Sequence, residues 1–231
     1  MDDIAANLTT VRARIAAACV AAGRDPSEVR LLPVSKTRPA AAVRTAYAAG
    51  CRRFGENRPQ DLAAKAAELA DLPGLGWVMI GHLQRNKAAL IAAHATEFHG
   101  LDSLDVARDL ERRLERLGRP LDVLIQVNTS GETTKSGLAP DAVLRFAADL
   151  QGLDALRVRG LMTIAANTPD RARVAACFAL LADLQSQLRS RGIDGQRYDE
   201  LSMGMSGDYE LAIAHGATVV RIGTAIFGAR G

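Results

Sequence analysis

The chain is poor in the residues that staple or metallate a protein. Its three cysteines, Cys19, Cys51 and Cys177, are odd in number, far apart and form no CxxC pair. That pattern excludes a disulfide framework and a structural zinc site, and it fits a reducing cytoplasm. The four histidines, His82, His94, His99 and His215, show neither an HExxH arrangement nor paired ligand spacing, so no metal site is expected. His82 falls at a strand end, within reach of a ligand, and the other three read as surface or helix-end residues. An excess of one charge is missing too. Lys and Arg number 29 against 26 Asp and Glu, a net charge of +3, which gives no basic face and argues against nucleic acid as a partner. The start, Met1-Asp2-Asp3-Ile4, is acidic where a signal peptide is basic, and no apolar run approaches the ~20 residues of a membrane span. A cytoplasmic protein without a membrane segment is expected.

What is present describes a globular chain. Of 231 residues, 48% are hydrophobic and 24% charged, which excludes intrinsic disorder and allows a large core. No repeat, low-complexity tract or linker divides it, and the Pro/Gly-containing stretch 72–76 reads as one loop. A single domain over 1–231 is expected.

Short β-branched or apolar runs alternate with Ala/Leu/Arg stretches of helical period. The strand candidates are 29–34, 52–55, 77–81, 97–101, 121–128, 156–164, 198–203 and 218–223, with helices such as 104–117 and 171–191 between them. In the latter, Val174, Phe178, Leu181, Leu184 and Leu188 make the stripe of a helix packed on a sheet. Strict alternation implies parallel strands and right-handed crossovers. Eight such units predict an α/β fold, a single-domain (β/α)8 TIM barrel over 29–228, with an extra N-terminal helix (1–22, helical from Asp2 to Ala22) closing its bottom or packing on its side. The alternative, an open doubly wound sheet that binds a dinucleotide, calls for a GxGxxG turn after the first strand. That turn reads Ser35-Lys36-Thr37-Arg38-Pro39, without a glycine.

In a barrel, chemistry gathers at the C-terminal ends of the strands. Strand one ends in Ser35-Lys36-Thr37, strand two in Gly55-Glu56-Asn57, strand three in Gly81-His82-Leu83-Gln84 and strand five in Asn128-Thr129-Ser130. A lysine at the mouth is costly unless it is paired or chemically employed. Desolvation favours the neutral amine, the nucleophile that condenses with aldehydes to a Schiff base. The plain alternative is a lysine that reaches solvent. Strands seven and eight run into helices through Ser202-Met203-Gly204-Met205-Ser206-Gly207 and Arg221-Ile222-Gly223-Thr224, small residues whose N–H groups suit a phosphate. One aldehyde-reactive amine and one phosphate grip at the same rim match pyridoxal 5′-phosphate (PLP).

At these residues the sequence resembles the YggS/PROSC family of pyridoxal phosphate homeostasis proteins. The motifs are Val34-Ser35-Lys36-Thr37, Phe54-Gly55-Glu56-Asn57, Ile80-Gly81-His82-Leu83-Gln84, Lys135-Ser136-Gly137, Gly160-Leu161-Met162, Leu201-Ser202-Met203-Gly204-Met205-Ser206 and 220–228, from Val220 to Gly228. The resemblance spans Leu32 to Gly228. It implies a barrel similar to the N-terminal domain of alanine racemase that holds PLP as a Schiff base on Lys36 and acts in PLP homeostasis or carriage without robust catalysis. It also implies Arg221 facing the pyridine nitrogen, Gly223, Thr224 and Ser202 on the phosphate, and Asn57 and Met203 lining the ring. Arg58-Pro59 departs from the more aromatic or aliphatic pair expected after the Gly-Glu-Asn motif. PLP-requiring apo-enzymes are the expected partners, and a monomer or weak homodimer the expected state.

Two other readings remain open, an amino-acid racemase and a cofactor-free Schiff-base aldolase. Racemases with this arginine use a tyrosine from a further β domain. Here Tyr47 and Tyr209 fall in helices, Tyr198 begins strand seven, and the sequence ends at Gly231, so slow racemisation is expected. Lys135, in the loop 129–137, is a second lysine near the mouth or simply a solvated one. The run 111–116, with mixed signs, reads as a solvated helix face.

Overall fold

The computed structural model describes residues 3–192 and 196–228. Its strands are β1 (Arg30–Pro33), β2 (Arg53–Glu56), β3 (Gly76–Met79), β4 (Ala95–Leu101), β5 (Leu121–Gln126), β6 (Leu156–Met162), β7 (Glu200–Ser202) and β8 (Val219–Ile222). The helices are α1 (Ile4–Ala21), α2 (Ala40–Ala48), α3 (Pro59–Glu68), α4 (Ala88–His94), α5 (Leu104–Leu117), α6 (Val143–Asp149), α7 (Arg171–Arg191), α8 (Tyr209–Ala214) and α9 (Thr224–Phe227). All strand pairs are parallel, in the order β1-β8-β7-β6-β5-β4-β3-β2. The two ends of that order meet at a single bridge, Val34 to Gly55, beside which the Ser35 N–H donates to the Gly55 carbonyl at 3.0 Å. The expected barrel is therefore present and nearly closed, with its seam between β1 and β2.

Local chemistry explains the elements. Helix α7 buries Val174, Cys177, Phe178, Leu181, Leu184 and Leu188 on one stripe. The Asp170 carboxylate caps it by accepting from the Ala172 and Arg173 N–H groups, and Gly192 ends it at φ 58°. Pro59 starts α3 at the first helical position, where a missing N–H costs nothing; this settles how the chain turns after Arg58. Most strands are shorter than the runs expected to encode them, but β2 keeps its length one residue further on, β4 starts two residues earlier, at Ala95, and Gly76 belongs to β3 rather than to the preceding loop.

Apolar residues fall into two clusters. A large one fills the layer between sheet and helices, and a small one, Leu32, Val78 and Val219 with Ile80 packed against it, sits inside the barrel. Polar residues share the barrel interior with them, among them His99, Glu97, Ser202 and Arg221. His99, expected at the surface, is wholly buried there, because it shares a β4 face with Glu97 in the period-two pleat. Glu111, expected on a solvated face, is also buried, and its Oε1 accepts the Ala155 N–H at 3.0 Å.

Helix α1 lies on the side of the barrel against α2, α8 and α9. Asp3 is its N-cap; Met1 and Asp2, with which the expected helix and the acidic start were read, lie outside the described residues, as does Gly231. By length and composition this helix is long enough to cross a membrane, contrary to the expectation that no run approaches that length. It buries Leu8, Val11, Ile15 and Cys19, and its Arg12 and Arg14 bond to the Ala49 carbonyl and to Glu210.

Candidate functional site

A cavity of about 480 Å³ opens at the C-terminal ends of the strands, within the range of small-molecule sites. Lys36, Asn57, Arg221, Gly223 and Thr224 all line it, together with Met205, Ser206 and Gly207. Lys36 stands in the turn after β1, where the Arg38 N–H closes onto the Ser35 carbonyl at 3.0 Å. Thr37 follows at φ 65°, a left-handed backbone that a β-branched residue rarely adopts. Close backbone approach shapes the opposite rim. A Cβ at Gly223 would sit 3.2 Å from the Val34 carbonyl oxygen, so a glycine lets the β8–α9 turn pass against the end of β1. That approach brings Thr224 to the same cavity as Lys36. The neighbouring turn at Met205 is held by the Asp208 carboxylate, which accepts the Met205 N–H at 2.6 Å.

Arg221 crosses the cavity floor, 4% exposed. Its Nη1 donates to the Ser202 carbonyl at 2.7 Å and to the Ser202 hydroxyl at 2.8 Å, and its Nη2 donates to the Thr163 carbonyl at 2.7 Å. All three acceptors are neutral. Burial pushes the guanidinium pKa down to about 10, with Asp208 pulling the other way, so it remains charged at neutral pH. A guanidinium has five N–H groups, more than these bonds use.

Beneath Arg221 a polar chain runs down the barrel axis. The wholly buried His99 meets the Ser202 hydroxyl through Nδ1 at 3.1 Å and Glu97 through Nε2 at 3.0 Å. Burial disfavours the Glu97 carboxylate, but the hydrogen bond from His99 and the Arg30 guanidinium outweigh it and hold the carboxyl at about 2. Burial also pushes His99 down, against the pull of Glu97. A neutral His99 beside an ionised Glu97 donates from Nε2 and accepts at Nδ1, so Ser202 donates to His99 and accepts from Arg221.

That arrangement bears on two residues expected at the cofactor, Ser202 and Met203. Ser202 and Met203 are entirely buried and outside the cavity lining: Ser202 lies beneath Arg221, its hydroxyl donating to His99 and accepting from Arg221, and Met203 belongs to the large apolar cluster. Met205, Ser206 and Gly207, further along the same motif, reach the cavity instead. His82 is exposed and pairs with Asp102 at 3.5 Å, and it lines a neighbouring shallow cleft rather than this cavity. Lys135 donates to the Ala165 carbonyl at 2.8 Å and pairs with Glu132 at 3.0 Å, also outside the lining. No group of three or more metal-binding side chains occurs among the described residues.

Sequence reading missed His99 and Glu97, whose signal was the spacing Glu97-Phe98-His99 on one strand face. It also missed Lys65, which follows Pro59 and Leu62 at steps of three on the buried face of α3.

The whole chain, residues 1–231, matches the family described as alanine racemase, N-terminal domain. It is 51% identical over 230 residues to the pyridoxal phosphate homeostasis protein of Pseudomonas aeruginosa, covering 100% of this chain and 97% of that one. Against the protein of the same name from Escherichia coli K12 the identity is 44% over 232 residues, covering 100% and 98%. Among solved structures, PipY of Synechococcus elongatus with PLP bound superposes at a TM-score of 0.83 with 41% identity, covering 97% of this chain and 100% of that one.

Proposed function

The chain belongs to the family of pyridoxal phosphate homeostasis proteins, built on the barrel of the alanine racemase N-terminal domain, and from that premise we propose that its mouth cavity holds PLP through Lys36. The observation that carries the reading is that one cavity is lined at once by the Lys36 amine, by Arg221 with N–H groups to spare, and by the Gly223-Thr224 turn. These residues fit the group. The backbone N–H groups of Ser206, Gly207, Gly223 and Thr224 and the Thr224 hydroxyl suit a phosphate dianion. Arg221 suits the ring nitrogen as a donor, and Asn57 stands at the rim beside the ring.

When bound, the group supplies an aldehyde carbon that a primary amine attacks, the C–N bond forming as the aldehyde oxygen leaves as water. The protein's part is to hold and orient. Arg221 cannot accept a proton at neutral pH, and its hydrogen bonds to Ser202 and Thr163 fix its plane. A racemase would need a second acid–base group beside Lys36, and Arg221 does not supply one. The protein is accordingly read as a cytoplasmic PLP holder that passes the group to apo-enzymes, with turnover of free amino acids below about 1 s⁻¹, the low end of ordinary enzymes.

The test is a PLP titration followed by visible absorbance, comparing the parent protein with Lys36→Ala. The parent should acquire a band that Lys36→Ala lacks. A band of equal intensity in Lys36→Ala would contradict the reading.

A further inference from the structure

Behind the cavity wall, on its helix side, lies a buried charged cluster that the cavity itself does not use. Ser35 and Glu56 are wholly buried, and Lys65 is 9% exposed. Lys65 Nζ, from the inward face of α3, donates to Glu56 Oε1 at 2.5 Å and to the Ser35 carbonyl at 2.7 Å. The Ser35 hydroxyl donates to the same Glu56 oxygen at 2.7 Å. Glu56 Oε2 is buried without a hydrogen-bond partner. The cluster ties β1 to β2 at the seam, where the backbone contributes one bridge. The next residue along each strand is Lys36 on one side and Asn57 on the other, and both line the cavity.

An ion pair is a poor choice if holding two strands together were the whole task. Desolvating both charges offsets their attraction, and apolar side chains of similar volume commonly do as well or better. A carboxylate oxygen buried without a donor adds to the cost. The surroundings, with Phe54, Leu62 and Leu69 buried nearby in the outer layer, would accept an apolar replacement. What apolar groups cannot do is aim. Lys65 fixes the carbonyl of the peptide that leads into Lys36, and Glu56 is anchored one residue before Asn57. On the far side of Lys36, Thr37 is kept at φ 65°, a conformation that persists only where the surroundings over-determine it. The backbone of Lys36 is thus pinned from both sides.

We propose that Lys65, acting with Glu56, is a positioning residue that sets where the Lys36 amine stands relative to the phosphate grip, and so decides how much of the ligand's binding comes from its aldehyde. Neither residue lines the cavity, so the effect is exerted through Ser35. The inference rests on the reading of the cavity as a PLP site.

The experiment compares affinities for PLP and for pyridoxine 5′-phosphate, which has the same ring and phosphate but an alcohol in place of the aldehyde. The parent protein is set beside the charge-neutral double variant Lys65→Met/Glu56→Gln, which leaves no unpaired charge. Shifting a reacting group by about 1 Å costs up to ~100-fold, so the double variant should lose roughly 10- to 100-fold of the preference for PLP while pyridoxine 5′-phosphate affinity stays within about 3-fold. An unchanged preference in a folded double variant overturns the proposal. Equal weakening of both ligands also overturns it, since that marks damage to the phosphate grip. Should the double variant fail to fold, Ser35→Ala, which removes one bond of the cluster, is read by the same ratio, with a reduced preference supporting the proposal and an unchanged one overturning it. Absence of any preference in the parent protein strikes the PLP reading itself and takes this inference with it.

Discussion

Each end of the barrel holds an arginine on its axis, and the two are treated in opposite ways. At the bottom, Arg30 grips Glu97 through two hydrogen bonds at 3.0 and 2.8 Å and reaches Glu200 at 3.3 Å, with Arg53 and Arg159 completing the network. Burial alone would lower the Arg30 pKa, yet the carboxylates raise it above its ordinary value. At the mouth, Arg221 has neutral acceptors and a pKa pushed down to about 10. The bottom network satisfies itself and closes the barrel. The mouth leaves a buried cation whose N–H groups outnumber its bonds to neutral acceptors. The same residue type closes an ion-pair network in one place and, in the proposed function, meets the ligand in the other, and the difference lies in what its neighbours leave unanswered.

Breaking the bottom should cost stability and spare binding. Arg30→Met leaves Glu97 and Glu200 short of a partner. Removing one member of a fully buried pair costs about 3–5 kcal/mol. The Arg30 side chain is 35% exposed, so a loss of roughly 2–4 kcal/mol is expected, or about 5–12 °C in Tm for a chain of this size. Calorimetry and PLP titration of the same variant decide it; a normal Tm, or weakened binding at normal Tm, would erase the distinction between the two ends.

Acid should attack the same network from the other side. Glu97 is held at about 2 from an ordinary 4.5, so the unfolded chain takes up the proton first. The stability it confers is whole above the unfolded value and is lost as pH falls from 4.5 toward 2, about 3 kcal/mol in all. His99, pushed below its ordinary 6.5, adds a loss of the same sign that starts as pH falls through that value. Urea midpoints measured against pH should therefore decline gently below neutrality and steeply below pH 4.5, and Glu97→Gln should flatten the lower stage. A parent profile that stays level through the lower stage would show that the carboxylate is not held by its neighbours.

At the mouth the expected effects fall on affinity. Thr224→Ala removes the hydroxyl donor proposed for the phosphate, a charge-assisted bond that would be worth roughly 1.5–3 kcal/mol, or about 10- to 100-fold. PLP should weaken by that factor and unphosphorylated pyridoxal should not; parallel losses would put the phosphate elsewhere. The smallest effect belongs to His82→Ala. An exposed pair such as His82–Asp102 contributes at most about 1 kcal/mol, so PLP affinity should change less than roughly 5-fold, and a larger loss would bring His82 into the site.

The contrast between the two ends was only half legible in the sequence. Lys36, Arg221, Gly223 and Thr224 announced themselves because polar and small residues at strand ends stand out against apolar runs. Helices α5 and α7 were read to the residue, since long periodic stripes with clear caps carry their own boundaries. Strand ends were not, because they depend on where neighbouring strands stop pairing. Ser202 faces the barrel interior but lies below Arg221, a depth along the axis that proximity to a phosphate motif does not reveal. The bottom network was invisible because Arg30, Glu97 and Glu200 lie 67 and 170 residues apart in sequence, and only barrel closure joins them. Lys65 drew no notice in the sequence because its partners Ser35 and Glu56 lie on β1 and β2 and meet it only when α3 packs on the sheet.

The central claim, that the mouth holds PLP through Lys36, is tested most directly by covalent trapping. Protein loaded with PLP is reduced with borohydride, digested, and the pyridoxyl-bearing peptide located by mass spectrometry. The account predicts the label on Lys36. A label found mainly on Lys135, or spread over several lysines, would contradict it.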